Sequence, residues 1–282
     1  MLKKTIEKEF KKSIWEQGFS LEQNVFRILE KDGWQILPNR NFFDSVNGLT
    51  KEFDLLAYKA ETKFNTTLFT ILIIECKFNP DRIVFYVRSV KKQLCLPQFY
   101  IGDFIKKFIS EKEIDVFFGN IKKYKHFFED VEQVFGYQTF EKIEKSERNQ
   151  TNNKFEKKLY FKARQDLSEK RIFGAINTVM QATIYEKNIR DKILNTDTFL
   201  MYFPVVIFSS DLYKACLSDR KTIKTQDFFH YKSGMAFGGD KSLNEFDIHV
   251  CGISNLNNFL DALNHVHKQF SLLFFKKIRS GK

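Results

Sequence analysis

Proline and glycine are scarce in this chain of 282 residues, at 4 and 12, which excludes collagen-like and linker-rich architectures. Cysteine is scarce too. Cys76, Cys95, Cys216 and Cys251 are scattered with no CxxC pair, which argues against a structural zinc site or a thioredoxin-like motif. Reduced, packing thiols of a cytosolic protein are expected instead. Long apolar runs are missing: the longest surround Leu68–Ile74 and Phe199–Phe208, far short of the roughly 18–20 residues of a membrane helix. Met1 to Lys12 is a charged mixture with no apolar run behind it, so no signal peptide is expected. These absences point to a soluble, cytoplasmic protein with no membrane partner.

Acidic charge falls short of basic, with 35 Asp and Glu against 46 Lys and Arg, a net +11 that favours an anionic partner. Nucleic acid comes first and an acidic membrane surface second. Aromatics are plentiful. With 33 Phe and 43% hydrophobic residues the chain can bury a sizeable core, and disorder is excluded. The length suits one or two domains, and neither a fixed-period repeat nor a low-complexity tract stands out.

The first strong pattern is Ser20 to Asp32, where Ser20 can cap and Leu21, Val25, Ile28 and Leu29 share a helical face up to Gly33. Strands are expected at Trp34–Leu37, at Glu52–Lys59 after the Asn47-Gly48 turn, and at Leu68–Lys77, whose aliphatic run fits a central strand. Val90–Ser110 reads as a helix broken at Pro97, and Ile114–Phe118 as a strand. Residues 122–170 are rich in Lys, Glu, Asn and Gln, a charged and partly helical insertion with a flexible centre near Ser146–Lys154. A helix over Asp166–Lys187, strands at Tyr202–Phe208, Phe228–Tyr231 and Phe246–Cys251, and a helix over Ser254–Phe270 complete the reading. The alternation predicts an α/β fold with a central mixed β-sheet flanked by helices. It would be one elaborated domain with a core over about 14–118, the insertion, and a sheet-completing part over 171–282.

Several features have plain structural explanations. Ser209-Ser210-Asp211 lacks a GxSxG elbow and reads as a turn. Gly238-Gly239 reads as a hairpin turn, and His265 and His267 point to different helix faces.

The residues that matter lie between Glu22 and Lys77. In Glu52–Lys59, alternation puts Glu52 and Asp54 on one face and Phe53, Leu55 and Ala57 on the other. In the next strand Glu75 and Lys77 share a face. The turn at Glu61–Thr66 is short enough for the two strands to pair, bringing carboxylates and an ammonium to one end of a sheet. A carboxylate closing an apolar strand is costly unless compensated, and Mg²⁺ takes such hard oxygen ligands.

At this point the chain resembles the PD-(D/E)xK nuclease superfamily, with its restriction-endonuclease-like fold. The resemblance rests on a helix bearing Glu22, a strand from Gly48 to Asp54, and the strand ending Ile73-Ile74-Glu75-Cys76-Lys77. It implies that Asp54 and Glu75 ligate metal, that Lys77 is the catalytic cation, and that Glu22 assists the metal. Phe53 stands where the family has Pro. Acid-x-Lys alone is weak: it occurs five times, at Glu9, Glu61, Glu75, Glu156 and Asp219, about what chance predicts. Only Glu75 ends a long apolar strand behind an acid-bearing one.

The implied function is that of a metal-dependent endonuclease, a hydrolase of DNA phosphodiesters using Mg²⁺ or Mn²⁺, of the kind found in restriction or antiviral phage defence. An RNase, or a catalytically inactive nucleic-acid-binding or assembly subunit on the same fold, are the alternatives. A homodimer or an operon-encoded partner protein would fit double-strand cutting. From Lys77 to Lys125 there are 11 Lys and Arg against five acids, and Arg82, Arg88, Lys91 and Lys92 fall where a following helix would meet a phosphate backbone.

Overall fold

The computed structural model describes residues 19–44, 47–79, 81–148, 155–163, 167–193, 197–216, 222–226, 228–236 and 243–281. The amino-terminal segment, the Gly238-Gly239 turn and most of Ser146–Lys154 lie outside them.

Helix α1 (Phe19–Lys31) forms because Leu21, Val25 and Leu29 recur at helical spacing and are buried together. Ser20 sits inside its first turn rather than capping it. Gly33, at φ 79°, lets the chain turn out of the helix. Strands β1 (Gln35–Asp44), β2 (Leu49–Lys63) and β3 (Thr66–Lys77) then form an antiparallel meander. All three are longer than expected. The β2–β3 hairpin closes on Phe64 and Asn65 alone, both left-handed at φ 54° and 58°, as a two-residue turn matching strand twist requires.

Val90–Ser110 is not helical. It holds the end of β4 (Arg82–Leu94), β5 (Gln98–Ile101) and a short 3₁₀ turn at Ile105–Lys107. The end of β4 pairs with the strand beginning at Glu129, and the residue before Pro97 disfavours helix. Ile114–Phe118 is not a strand but lies in helix α2 (Glu111–Gly119). A capping box sets its start: the Ser110 hydroxyl accepts the Glu113 N–H, and the Glu113 carboxylate accepts the Ser110 N–H at 3.0 Å.

The charged stretch at 122–170 is largely a β-hairpin, β6 (Glu129–Arg148) with β7 (Phe155–Ala163), before helix α3 (Leu167–Ile193) begins. Val134, Phe135, Tyr137, Thr139, Phe140 and Ile143 supply the strand preference that charge content obscured. The remaining elements are β8 (Thr198–Phe208), β9 (Leu212–Cys216), β10 (Ile223–Thr225), β11 (Phe228–Ala236), β12 (Leu243–Gly252) and α4 (Leu256–Ser280).

The fold is α/β with two sheets. A mixed seven-stranded sheet runs β1-β2-β3-β8-β12-β11, with β5 also on β8. Its central strands β3, β8 and β12 are parallel, and β8 is buried along its whole length, which suits its continuous apolar sequence. A second sheet, not anticipated, runs β10-β9-β4-β6-β7. One face of the large sheet packs on α1, α2 and α4 through Leu29, Phe118, Leu263 and Phe270. The other packs on α3 and the second sheet through Ile71, Ile176, Phe85 and Leu212. No helix among the described residues is long and apolar enough to cross a membrane.

Candidate active site

Strict alternation along β2 would place Phe53 and Leu55 on one face. Instead Phe53 lies in the α3-side core and Leu55 in the α1-side core. The alternation inverts at Asp54. On the neighbouring strand, pairing runs from Pro38↔Leu55 to Arg40↔Phe53, and between them Asn39 is left-handed at φ 51°. The same inversion follows on β1, where Ile36 packs on the α1-side core and Phe42 in the other. The β2–β3 register ends at Leu55↔Ile74, so β2 leaves β3 as Asp54 begins. There the Asp54 Oδ2 accepts the Cys76 backbone N–H at 2.6 Å, in place of a ladder partner.

Glu75 and Lys77 alternate with Ile74 and Cys76 and so share the face of Ile71 and Ile73. Lys77 Nζ lies 2.5 Å from Glu75 Oε1. Among the described residues, Glu75 Oε2 is buried without a hydrogen-bond partner. Burial pushes the Glu75 carboxyl up to about 7; the Asp54 charge adds to the shift and Lys77 opposes it. Burial raises Asp54 as well, against the Cys76 N–H and Lys77, which favour its anion. Glu22, on α1, is raised by its own burial and then by Asp54 and Glu52, with Lys77 opposing. Burial works to lower Lys77, but the charge and hydrogen bond of Glu75 outweigh it and hold the ammonium above its ordinary value. The Cys76 thiol is pushed well up by burial among these carboxylates, which keeps it from acting as a thiolate nucleophile.

The structure therefore brings Asp54, Glu75 and Lys77 together, with Glu22 and the exposed Glu52 within electrostatic reach of Asp54. Among the described residues no three His, Cys, Asp or Glu side chains form a ready metal-ligating group. The donors present still fit Mg²⁺, which keeps several waters and is commonly held by only one or two carboxylates. Asp54 and Glu75 supply two, and the unpartnered buried Oε2 of Glu75 is the oxygen that lacks a counter-charge.

The four expected backbone contacts are not on a helix. Arg82, Arg88, Lys91 and Lys92 lie on β4 of the second sheet, because the chain after β3 pairs with β6 and β9. Arg82 stacks its guanidinium 4.5 Å from the Phe161 ring, Arg88 lies 4.2 Å from Phe135, and Lys92 is 3.6 Å from Glu129. Asn39 had no signal beyond the tolerance of Asn for left-handed backbone. A larger cleft, of about 860 Å³ and lined by Lys92, Lys122, Lys125 and Lys214, also had none, since five separate segments build it.

Compared with known proteins, the chain matches no family model, no curated protein and no solved structure.

Proposed function

We propose that the chain is a Mg²⁺-dependent nuclease on a restriction-endonuclease-like fold, hydrolysing phosphodiester bonds, with DNA the favoured substrate. The observation that carries this is the group at the end of β3: two carboxylates raised by burial, Glu75 further by the charge of Asp54, beside a cation that stays charged. Perturbed groups of this kind concentrate at functional sites.

Asp54 and Glu75 would hold the metal, whose contribution is to polarise the scissile phosphate and acidify a water. Asp54 is oriented for this by the Cys76 N–H, which fixes one oxygen and leaves the other available. Glu75, with a carboxyl near 7, is half-ionised at neutral pH and becomes a full anion once a cation compensates its burial. Lys77 keeps its proton, so its role is to orient water and stabilise charge building on the phosphate rather than to accept the water's proton. Glu22 would act on the metal's surroundings through Asp54. Arg82, Arg88, Lys91 and Lys92 would contact the backbone of the nucleic acid from the second sheet.

A second reading, a non-catalytic nucleic-acid-binding subunit, draws on the 2.5 Å ion pair that occupies Glu75 and Lys77 with each other. Incubating the purified chain with DNA and with RNA, in Mg²⁺, Mn²⁺ or EDTA, separates the two. Metal-dependent cleavage of either polymer supports the nuclease, and binding without cleavage in every condition supports the subunit.

A further inference from the structure

The cleft of about 860 Å³ opens where the second sheet meets the start of β11, outside the carboxylate group. Its rim carries Lys92, Lys122, Lys125 and Lys214 against two acids, Glu129 and Glu132. Glu129 is shared, 3.6 Å from Lys92 and 3.3 Å from Lys125, while Lys214 sits 3.0 Å from both oxygens of Glu132. Lys122 has no ion pair among the described residues. Four ammoniums thus face two carboxylates, and the two charges left over are that of Lys122 and one of the pair sharing Glu129, so the cleft attracts an anion.

The size sets the class of anion. Ligand pockets run to about 300–1,000 Å³, and a cleft in that range cannot enclose a duplex, whose major groove alone is about 12 Å wide. The walls are aromatic: Phe228 and Phe229 line it from β11, and Tyr124 from the turn before β6. Tyr124 is held at φ 63°, a left-handed conformation that a bulky side chain adopts only under strain. Such strained residues cluster at ligand sites. The Tyr124 ring is half-buried on the α4-side core beside His265, with Lys123 Nζ 4.8 Å from its centroid. Lysines beside such a ring suit a phosphate joined to a planar base.

The cleft also lies at the same end of the large sheet as Lys77. The row Cys76↔Ile207↔Cys251↔Phe228 crosses three strand spacings, about 14 Å in all. A single strand bound near Glu75 can therefore reach it.

We infer that this cleft binds a nucleotide unit, with its phosphate on Lys92, Lys122 and Lys125 and its base against the Tyr124 ring. The unit belongs to a single strand or is a free nucleotide; the chemistry is shared. The inference takes from the nuclease reading only the class of ligand and does not need the carboxylate site to be catalytic.

The test uses the full chain in EDTA and a fluorescein-labelled thymidine oligonucleotide of about eight residues, within the usual single-strand site size of about 4–16. Anisotropy is followed across a salt series. Lys122 and Lys125 are exposed, so the double variant Lys122→Ala/Lys125→Ala should fold. It is expected to bind about tenfold or more weakly at low salt, with the slope of log K against log salt reduced by about 1.4, two contacts at about 0.7 each. Glu129→Gln, which removes the competing anion, should bind several-fold more tightly. Tyr124 also packs on the α4-side core and against His265. Tyr124→Leu, which keeps apolar volume but no ring, should therefore fold and weaken binding without changing the salt slope, a split that a purely structural tyrosine would not give. Competition by ATP assigns the pocket to a free nucleotide, and its failure to compete assigns it to a strand; either supports the inference. Unchanged affinity and salt slope in the lysine double variant would overturn it. Failure of the nuclease reading looks different: no cleavage by the wild-type chain in Mg²⁺ or Mn²⁺, with this binding intact.

Discussion

Asp54 does for Cys76 what a strand partner would otherwise do: its Oδ2 accepts the Cys76 N–H at 2.6 Å at the point where β2 parts from β3. One carboxylate oxygen is thus structural, the other is chemical on the proposed function, and substitutions separate the two. Asp54→Asn keeps an acceptor, so it should fold normally, lose metal-dependent cleavage and still bind nucleic acid. Asp54→Ala should lose cleavage too and also be destabilised by about 1–3 kcal/mol, the cost of an unpartnered buried N–H. Denaturant unfolding reads the second effect. Wild-type cleavage by both variants would remove Asp54 from the site.

Glu75 makes the metal-free chain sensitive to pH. Its folded carboxyl titrates near 7 against 4.5 when unfolded, so between those values the folded state holds the extra proton. Stability therefore falls as pH rises through that window, by on the order of 3 kcal/mol. Buried histidines tilt the total the other way, so the useful quantity is the difference between wild type and Glu75→Gln in EDTA. That difference should move against wild type from pH 5 to pH 8, and Mg²⁺ should restore wild type selectively at pH 8. A flat difference would mean that Glu75 is not desolvated.

Much of the candidate site's arrangement was legible because β3 announces itself: a long apolar run from Leu68 ending in Glu75 and Lys77, behind an acid-bearing strand at hairpin distance. Leu21, Val25 and Leu29 announced α1 in the same way, by periodicity. The inversion at Asp54 could not be read, since an alternation rule assumes the regularity that Asn39 breaks. The start of α2 could have been read from Ser110 and Glu113, but the short apolar run behind them suits strand and helix equally. The second sheet failed for another reason. It joins β4 to β6 and to β9, segments far apart in sequence, and no local pattern encodes such pairing.

His249 is fully buried among Phe203, Phe228, Phe259 and His230, and among the described residues both its ring nitrogens lack a hydrogen-bond partner. Burial pushes its pKa well down, and lowers His230 to about 4 from 6.5. The unfolded chain takes up these protons below about 6.5 while the folded chain does not, so stability is lost as pH falls from there towards 4. His249→Phe should flatten that acid limb and raise stability at pH 7 by about 1–2 kcal/mol, because it removes an unsatisfied polar ring. Unfolding curves at pH 5 and pH 7 check both. An unchanged acid limb would show that His249 is not a source of it.

Strand β8 sits between β3 and β12 and pairs with β3 from Thr67 to Lys77. A chain ending at Gln150 would lose β8, α3 and α4, stripping β3 of its parallel neighbour and of much of the cover on both its faces. It should be insoluble or unfold without a cooperative transition. A sharp, two-state transition for residues 1–150 would show that the first half is an independent domain.

Lys77 can serve in two ways: as the partner that steadies Glu75 in the metal-free chain, or as the cation that meets water and phosphate. If it only steadies Glu75, Lys77→Ala should push the Glu75 carboxyl higher still, since the opposing charge is gone, and leave turnover near normal once metal compensates. If it faces the reaction, Lys77→Ala should fold, bind Mg²⁺ and nucleic acid, and turn over about 10²–10³-fold more slowly. Lys77→Arg distinguishes charge from position. A guanidinium restores the charge but presents it as a planar fork, and it does not occupy the point held 2.5 Å from Glu75 Oε1. The expected pattern is the second: Lys77→Arg no better than tenfold above Lys77→Ala, with both variants folded. Near-normal turnover in Lys77→Ala, measured at saturating metal and substrate, would reduce this lysine to a structural partner and take the nuclease reading down with it.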